Sequence, residues 1–257
     1  MDKILTVGGA LVGFTRCAPT VSASTGIAPQ IFPNYGLNTP DDSSRVTAFR
    51  KELAEKLAAP IIWMHQTHSA KVATITSSEL ANLNSASHEN TVDADAVIVP
   101  AGTVAAVQVA DCVPVLLIDP HLKLVAAVHA GRAGVEKEIL AHTVAKLAAV
   151  GSIPNKLLAA VGPCICENCY EVGEDVYNQY VSQFPDGGAL TSWGTKSIRL
   201  RAIVERQLRE LGIKEIHHDA TCTYESADLN SYRRQPSCGR QIGWAYFPKP
   251  KFPPQSG

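Results

Sequence analysis

The stretch Val104-Ala105-Ala106-Val107-Gln108-Val109-Ala110-Asp111-Cys112-Val113-Pro114-Val115-Leu116-Leu117-Ile118-Asp119-Pro120, followed by Leu124-Val125-Ala126-Ala127-Val128-His129, decides the fold class. Its apolar, β-branched runs have the composition of strands buried on both faces, and Asp119-Pro120 punctuates a turn between them. Runs that follow one another this closely form a hairpin-like, antiparallel unit. Strand runs outnumber helices elsewhere, so the sequence predicts an α+β fold: one domain of layered, mainly antiparallel sheets covered by helices. The domain is expected over residues 1–247, ahead of a loose Pro-rich tail over residues 248–257.

The same stretch carries chemistry. Cys112 and His129 lie at the ends of apolar runs, and paired strands can bring them face to face. His68, in Gln66-Thr67-His68, lies just past a third run, residues 61–64. Two imidazoles and one thiolate suit zinc, and three protein ligands leave a tetrahedral ion one open position, the arrangement of a catalytic metal. His65 is the rival for the place of His68, and buried Cys and His residues are commonly plain core residues. Asp93 and Asp95 precede the strand at residues 96–99; a carboxylate there either orients a metal-bound His or is an ordinary turn residue.

Bulk composition narrows the function classes. The chain has 257 residues, 46% of them hydrophobic, enough for a substantial core, and no stretch resembles a long linker. A net charge of -1 gives no basic field for nucleic acid or an anionic membrane, which leaves small-molecule chemistry. Seven cysteines, an odd number in a chain too long to need disulfide staples, point to a reducing, cytoplasmic compartment. The apolar run at residues 4–14 is read as a first strand rather than a signal peptide, since Asp2 weakens the positive start and Gly8-Gly9 interrupt the run. No run is long enough to cross a bilayer.

Residues 17–39 read as a long loop at a pocket rim. Asp41-Asp42-Ser43 offers N-caps for a helix with Val46, Phe49, Leu53 and Leu57 on one face, and Pro60 ends it. Arg50 lies one residue past Phe49 on this helix, where an ordinary solvated side chain is the plain reading. Residues 77–91 read as loop, and residues 135–150 as one helix stopped by Gly151. Gly131-Arg132-Ala133-Gly134 leads into that helix, where free amides favour an anion; a strand-to-helix turn with no ligand is the plain alternative. A strand at 157–161, helices at 171–184 and 200–211, and closing strands at 214–216 and 242–247 complete the expected elements. Cys164-x-Cys166-x-x-Cys169 contains a zinc half-site, but no second Cys pair follows at useful spacing, so these thiols are read as packing or redox groups.

Gln66-Thr67-His68-Ser69, Asp93-Ala94-Asp95-Ala96, Ala110-Asp111-Cys112-Val113-Pro114-Val115-Leu116-Leu117, His129-Ala130-Gly131, Gly162-Pro163-Cys164-Ile165, Tyr170-Glu171-Val172-Gly173 and Ser231-Tyr232-Arg233-Arg234 with Gly239-Arg240 occur in this order. The set resembles the YfiH family, also called the laccase-domain or polyphenol-oxidase family, from Phe14-Thr15-Arg16 to Gly239-Arg240. The resemblance implies the single-domain architecture and one zinc per chain held by His68, Cys112 and His129. It also implies a purine nucleoside enzyme that cleaves adenosine, inosine and methylthioadenosine with phosphate and deaminates adenosine, with nucleoside and phosphate as its small-molecule partners. Asp111 and Asp95 are the candidate proton carriers, and Arg50 and Arg132 the candidate substrate or phosphate contacts. Two departures bear on substrate preference: Arg132-Ala133 stands where the family has Trp-Arg, and Phe49-Arg50 where it has Asn-Arg.

Three other chemistries compete. A metal-free hydrolase can use Cys112 as nucleophile and His129 as base, since the family fold resembles a toxin deamidase with such a dyad and some members are linked to editing of peptidoglycan precursors. His68 discriminates here, because a dyad needs no second imidazole. Copper-dependent phenol oxidation, the family's older label, needs about ten His and a Cys flanked by His. This chain has eight His and no His-Cys-His, which disfavours it. A metal-binding module without catalysis is the fourth reading, and the open coordination position argues against it.

Overall fold

A computed structural model describes residues 3–16, 33–80 and 90–249. In chain order the first half holds β1 (Lys3–Val7), β2 (Ala10–Phe14), α1 (Ser43–Leu57), β3 (Ile61–His65), β4 (Val72–Thr74), α2 (Ser77–Leu80), β5 (Thr91–Asp93), β6 (Ala96–Pro100), β7 (Val104–Val109), β8 (Val113–Asp119) and β9 (Leu124–Ala130). The second half holds α3 (Arg132–Glu136), α4 (Ile139–Ala149), β10 (Leu158–Val161), α5 (Glu174–Gln183), β11 (Gly188–Leu190), β12 (Lys196–Ile198), α6 (Leu200–Glu210), β13 (Glu215–His218) and β14 (Gln241–Tyr246).

Two six-stranded sheets, ordered β1-β2-β14-β7-β3-β5 and β13-β10-β8-β9-β6-β4, carry most of the chain. Most pairings are antiparallel; β3 with β5 and β7, β4 with β6, and β10 with β13 are parallel. The sheets lie face to face over a shared apolar layer in which Val12, Ile62 and Val107 of one meet Val97, Leu116 and Val125 of the other. Helix α1 covers the outer face of the first sheet through Leu53 and Leu57. Helices α4 and α6 cover the outer face of the second through Leu140, Leu147, Ile203 and Leu208. Strand β8 therefore sends Leu116 and Ile118 into one apolar layer and Val115 and Leu117 into the other, which is why its sequence shows no polar alternation. The result is the α+β class expected from sequence.

Four local expectations differ from the structure. Residues 104–120 are not one unit within a single sheet: β7 belongs to the first sheet and β8 to the second, and the chain crosses between them at Ala110-Asp111-Cys112. The apolar run at residues 4–14 is a hairpin, with Gly8 (φ 56°) and Gly9 (φ 85°) forming a turn that residues with a Cβ adopt poorly. The helix expected at 135–150 is two helices, α3 and α4, broken where Glu138 takes φ 59°. Of the loop expected at 77–91, residues 77–80 form the short helix α2; residues 17–32 of the loop expected at 17–39, residues 81–89 and most of the Pro-rich tail (250–257) lie outside the described residues.

Candidate metal centre and its pocket

The crossing between the sheets builds the site. Asp111 sits at φ 90°, a conformation costly for a residue with a Cβ, and three hydrogen bonds hold it there. Its carboxylate accepts from Thr223 Oγ1 (2.6 Å) and Arg233 N (2.8 Å), and its carbonyl from Ile165 N (3.0 Å). Cys112 follows, half-buried, just ahead of β8. On the neighbouring strand His129 stands opposite Pro114, and Gly131 comes so close that a Cβ there would lie 3.0 Å from Cys112 Sγ and 2.8 Å from His68 Cδ2.

His68 arrives on a separate turn, at φ 58°, and Asp95 holds that turn. One carboxylate oxygen of Asp95 accepts from His68 N (3.0 Å) and lies 2.8 Å from His129 Nδ1. The other accepts from Thr67 N (3.1 Å), Ser69 N (2.7 Å) and Ser69 Oγ (2.6 Å). A single fully buried carboxylate thus fixes the ring of His129 and the backbone of His68.

The remaining donor atoms converge. Cys112 Sγ is 3.7 Å from His68 Nε2, and the ligand atoms of His68, Cys112 and His129 all lie within 4.8 Å of one another. With His129 Nδ1 bound to Asp95, its Nε2 is the nitrogen left for a metal, the orientation that a carboxylate behind a ligating His normally enforces. The donor set fits a borderline-soft divalent ion.

Electrostatics agree with the geometry. Burial alone would raise the Cys112 thiol, but the charge and hydrogen bond of His129, with help from His68, bring it down to about 6. Burial would lower His129, yet the charge of Cys112 and the Asp95 hydrogen bond raise it to about 9. Burial would likewise raise Asp95, and the hydrogen bonds from His129 and Ser69 instead hold it far below the usual carboxylate range. Both shifts run in the direction that favours a thiolate beside an imidazolium.

A cavity of about 630 Å³ opens over the three ligands, a size that suits a small organic ligand. Gly36, Leu37, Asn38 and Thr39 line it, so the described end of the loop expected at 17–39 does form part of its wall. Arg50, 2% exposed, reaches it from α1. Its Nε and Nη2 donate to Tyr35 O at 2.8 and 2.7 Å, its guanidinium stacks 4.1 Å over the Trp63 ring, and burial lowers it to about 10. Gln66 and Gln108 tie the wall together, Gln66 Nε2 donating to Gln108 O (2.8 Å) and Gln108 N to Gln66 Oε1 (2.9 Å).

The remaining sequence candidates fall in different places. Asp111 lines the cavity, whereas Asp95 lies behind the ligands. His65 lines the cavity too, but its Nδ1 sits 3.0 Å from Asp93 Oδ1 and it is not part of the convergent group. Arg132 is absent from the lining: its Nη1 lies 2.6 Å from Glu136 Oε2 on α3, a helix of only five residues. Other arginines face the cavity instead. Arg233, stacked 4.8 Å over Tyr170, and Arg240 line it together with Tyr170 and Tyr232. These four stand inside the motifs at residues 170–173, 231–234 and 239–240, to which the sequence alone assigns no role, although each motif places a polar or aromatic side chain outside any apolar period.

Comparison with known proteins follows the same outline. The family described as multi-copper polyphenol oxidoreductase laccase matches residues 19–247. A purine nucleoside phosphorylase of Streptomyces coelicolor is 37% identical over 246 residues, covering 94% of this chain and 97% of that protein. The purine nucleoside phosphorylase YfiH of Escherichia coli is 30% identical over 241 residues, covering 91% and 94%. Among solved structures, YlmD from Geobacillus stearothermophilus superposes with a TM-score of 0.79 at 28% identity, covering 94% of this chain and 93% of its own. A Neisseria meningitidis protein gives 0.78 at 25% identity, covering 96% and 99%. The chain belongs to the multi-copper polyphenol oxidoreductase laccase family, the laccase-domain proteins of the YfiH type.

Proposed function

We propose that the chain is a zinc-dependent purine nucleoside enzyme that cleaves adenosine, inosine and methylthioadenosine with phosphate and also deaminates adenosine. The observation that carries this reading is the convergence of His68, Cys112 and His129 beneath a cavity of nucleoside size. The relatives named purine nucleoside phosphorylase supply the substrate class.

Zinc held by these three side chains would contribute Lewis acidity at the cavity floor. The protein's own groups do the rest. Tyr232, half exposed at the rim, offers a ring face to the purine, and Arg233 and Arg240 offer positive charge to phosphate. In phosphorolysis a phosphate oxygen bonds to the ribose C1′ as the bond from C1′ to the base nitrogen breaks, and the departing base takes a proton. In deamination water replaces the amine, which leaves as ammonia. Asp111, which borders the cavity, is the carboxylate assigned to these proton movements; Asp95 stays ionised and acts by orienting His68 and His129. The family's copper label finds little support in the ligands, since the two groups of metal-capable side chains among the described residues contain no more than two His.

One observation favours a second reading. A thiol brought down to about 6 beside an imidazole raised to about 9 is the pair a metal-free cysteine hydrolase requires. Against it, Asp95 clamps the His68 turn as firmly as it holds His129, and a dyad has no use for that second imidazole. The cysteines among the described residues are free, in keeping with a reducing compartment, and we place the enzyme in the cytoplasm. Among the described residues no helix is long and apolar enough to cross a membrane.

The deciding experiment measures zinc in the purified parent and in Cys112→Ala and His129→Ala, and identifies products from adenosine with and without phosphate. Each variant is expected to hold one equivalent of zinc fewer than the parent, because each removes a ligand of the ion held with His68. His68→Ala should lose turnover about as severely as Cys112→Ala, because each removes a ligand of one ion. Full turnover in His68→Ala, or no turnover of any purine nucleoside by the zinc-loaded parent, would overturn the reading.

A further inference from the structure

Cys166, Cys169, Cys222 and Glu225 form a second convergent group that shares no residue with the first. Their sulfur and carboxylate atoms all lie within 4.8 Å of one another. Cys166 and Cys169 bracket a tight turn in which Cys169 N donates to Cys166 O at 3.1 Å. Cys222 comes from far along the chain, brought in by a strand-like bridge to Cys164 and by Thr223 N donating to Cys164 O at 3.1 Å. Its sulfur then accepts from Cys166 N at 3.4 Å, and Cys169 Sγ stands 3.6 Å from Glu225 Oε1. The missing half of the Cys166-x-x-Cys169 site is thus one thiol and one carboxylate, a pairing that no Cys spacing reveals.

Packing among Ile165, Tyr170 and Tyr224 accounts for three thiols, but it gives no reason for a carboxylate oxygen at the fourth corner. Zinc–sulfur bonds of about 2.3 Å place tetrahedral ligand atoms ~3.8 Å apart, so side-chain shifts of about 1 Å close the group. Positive charge is already at hand: Arg201 donates to Cys164 Sγ (3.1 Å) and to Thr221 O (3.2 Å), the residue before Cys222. Arg234 Nη1 braces the loop carrying Glu225 by donating to the carbonyls of Thr223 (2.7 Å), Tyr224 (2.8 Å) and Ser226 (2.9 Å).

We propose that Cys166, Cys169, Cys222 and Glu225 bind one zinc-class divalent ion in a closed, four-ligand site that ties residues 164–170 to residues 222–234. A site with no open position is structural, and its thiols lose their protons to solvent as the ion binds. Both tied segments lead to the cavity wall, since Tyr170 directly follows Cys169 and the Asp111 carboxylate takes bonds from Thr223 and Arg233. The ion would hold that wall in place. This inference does not depend on the nucleoside chemistry proposed above.

The test uses the full-length Cys112→Ser protein, in which the first group has lost its only thiolate, purified anaerobically and without chelator. One equivalent of zinc should remain, and Cys166, Cys169 and Cys222 should resist a thiol reagent until chelator is added. Cobalt in place of zinc should give an intense sulfur-to-metal charge-transfer band together with the visible bands of a tetrahedral ion. Adding Cys166→Ser or Cys222→Ser should remove that equivalent and weaken the band. If those variants do not fold, the cobalt spectrum of Cys112→Ser decides alone, because the cluster in it is intact. Absence of metal and of the band in Cys112→Ser, iron–sulfur absorption, a disulfide among the three thiols, or an undiminished equivalent after Cys222→Ser would overturn the proposal.

Discussion

The Asp95 carboxylate lies 2.8 Å from Nδ1 of His129, and the same oxygen accepts from His68 N at 3.0 Å. One buried charge therefore sets the ring orientation of one ligand and the backbone of another. Ligands from different sheets and turns keep a fixed separation because they share this anchor.

Asp95→Asn keeps the shape but removes the charge and turns one oxygen into a donor facing the N–H groups it now accepts. Zinc affinity and turnover should each fall by about 10–100-fold, the usual scale for losing the partner behind a ligating His. Competition against a chromophoric chelator measures the first. The Asp95 carboxyl is held below its unfolded value, so its contribution to stability is present at neutral pH and is lost as pH falls below that value; the variant should therefore show a shallower acid limb in thermal melts.

Gly131→Ala tests the close approach of β9's end to the ligands. The backbone there is ordinary (φ −74°), so no conformational strain is added, and the new methyl meets Cys112 Sγ at 3.0 Å and His68 Cδ2 at 2.8 Å. The expected outcome is a folded protein with a near-parental melting temperature and at least tenfold weaker zinc binding. A parental affinity would show that both side chains move aside freely.

Much of this site is legible in the sequence because the ligands lie at the ends of apolar runs, and such runs announce buried strands. Cys112 directly precedes β8 and His129 lies near the end of β9, two strands whose two-sided burial leaves no polar alternation to misread. The sheet to which each strand belongs is not legible, since β7 and β8 have the same composition and only the conformation of Asp111 sends them apart. The helical period alone leaves Arg50 open as a solvated side chain; the family resemblance implies an inward-facing one, and at 2% exposed it is. Arg132 differs: its displacement by one residue from the family pattern is visible, but its capture by Glu136 one turn later depends on where α3 begins and ends. Glu225 is illegible beside its thiols because an exposed acidic residue carries no local signal.

Cys112 should react as an activated thiol when metal is removed. Its thiol is brought down to about 6, while burial pushes Cys164 up to about 12 and Cys166 up to about 11. Alkylation at pH 7.5 should label Cys112 first, at a rate that is level above pH about 6 and falls below it; zinc should protect it. Folding stability should show no matching slope. The His129 share is complete below 6.5 and lost as pH rises through about 9, whereas the Cys112 share is present above 9 and lost as pH falls through about 6. Between about 6.5 and 9 the folded pair holds one proton on His129 and the unfolded chain holds one on Cys112, so the two trends cancel. Peptide mapping after alkylation and urea melts at several pH values check both halves.

Phosphate contact should belong to Arg233 and Arg240 rather than to Arg132. Arg132 is neutralised by Glu136 at 2.6 Å and does not border the cavity, whereas Arg233 and Arg240 do. If phosphate enters beside the three ligands, removing a guanidinium that borders the cavity weakens an anion contact worth about 1.5–3 kcal/mol, or roughly 10–100-fold. Arg240→Ala should therefore raise the KM for phosphate by at least tenfold and leave the phosphate-independent release of ammonia from adenosine within about twofold. Arg233 carries a second duty, because its backbone N–H holds Asp111 while its guanidinium stacks on Tyr170 and donates to Glu171 O; Arg233→Lys keeps the charge and the backbone bond and loses the planar stacking and the guanidinium's fixed bond to that carbonyl. Its phosphate KM should rise less than that of Arg240→Ala. Arg132→Ala should change neither activity by more than about twofold. Parallel assays of free base and ammonia on the same preparations separate these outcomes, and a large phosphate effect confined to Arg132→Ala would return the anion site to the turn ahead of α3.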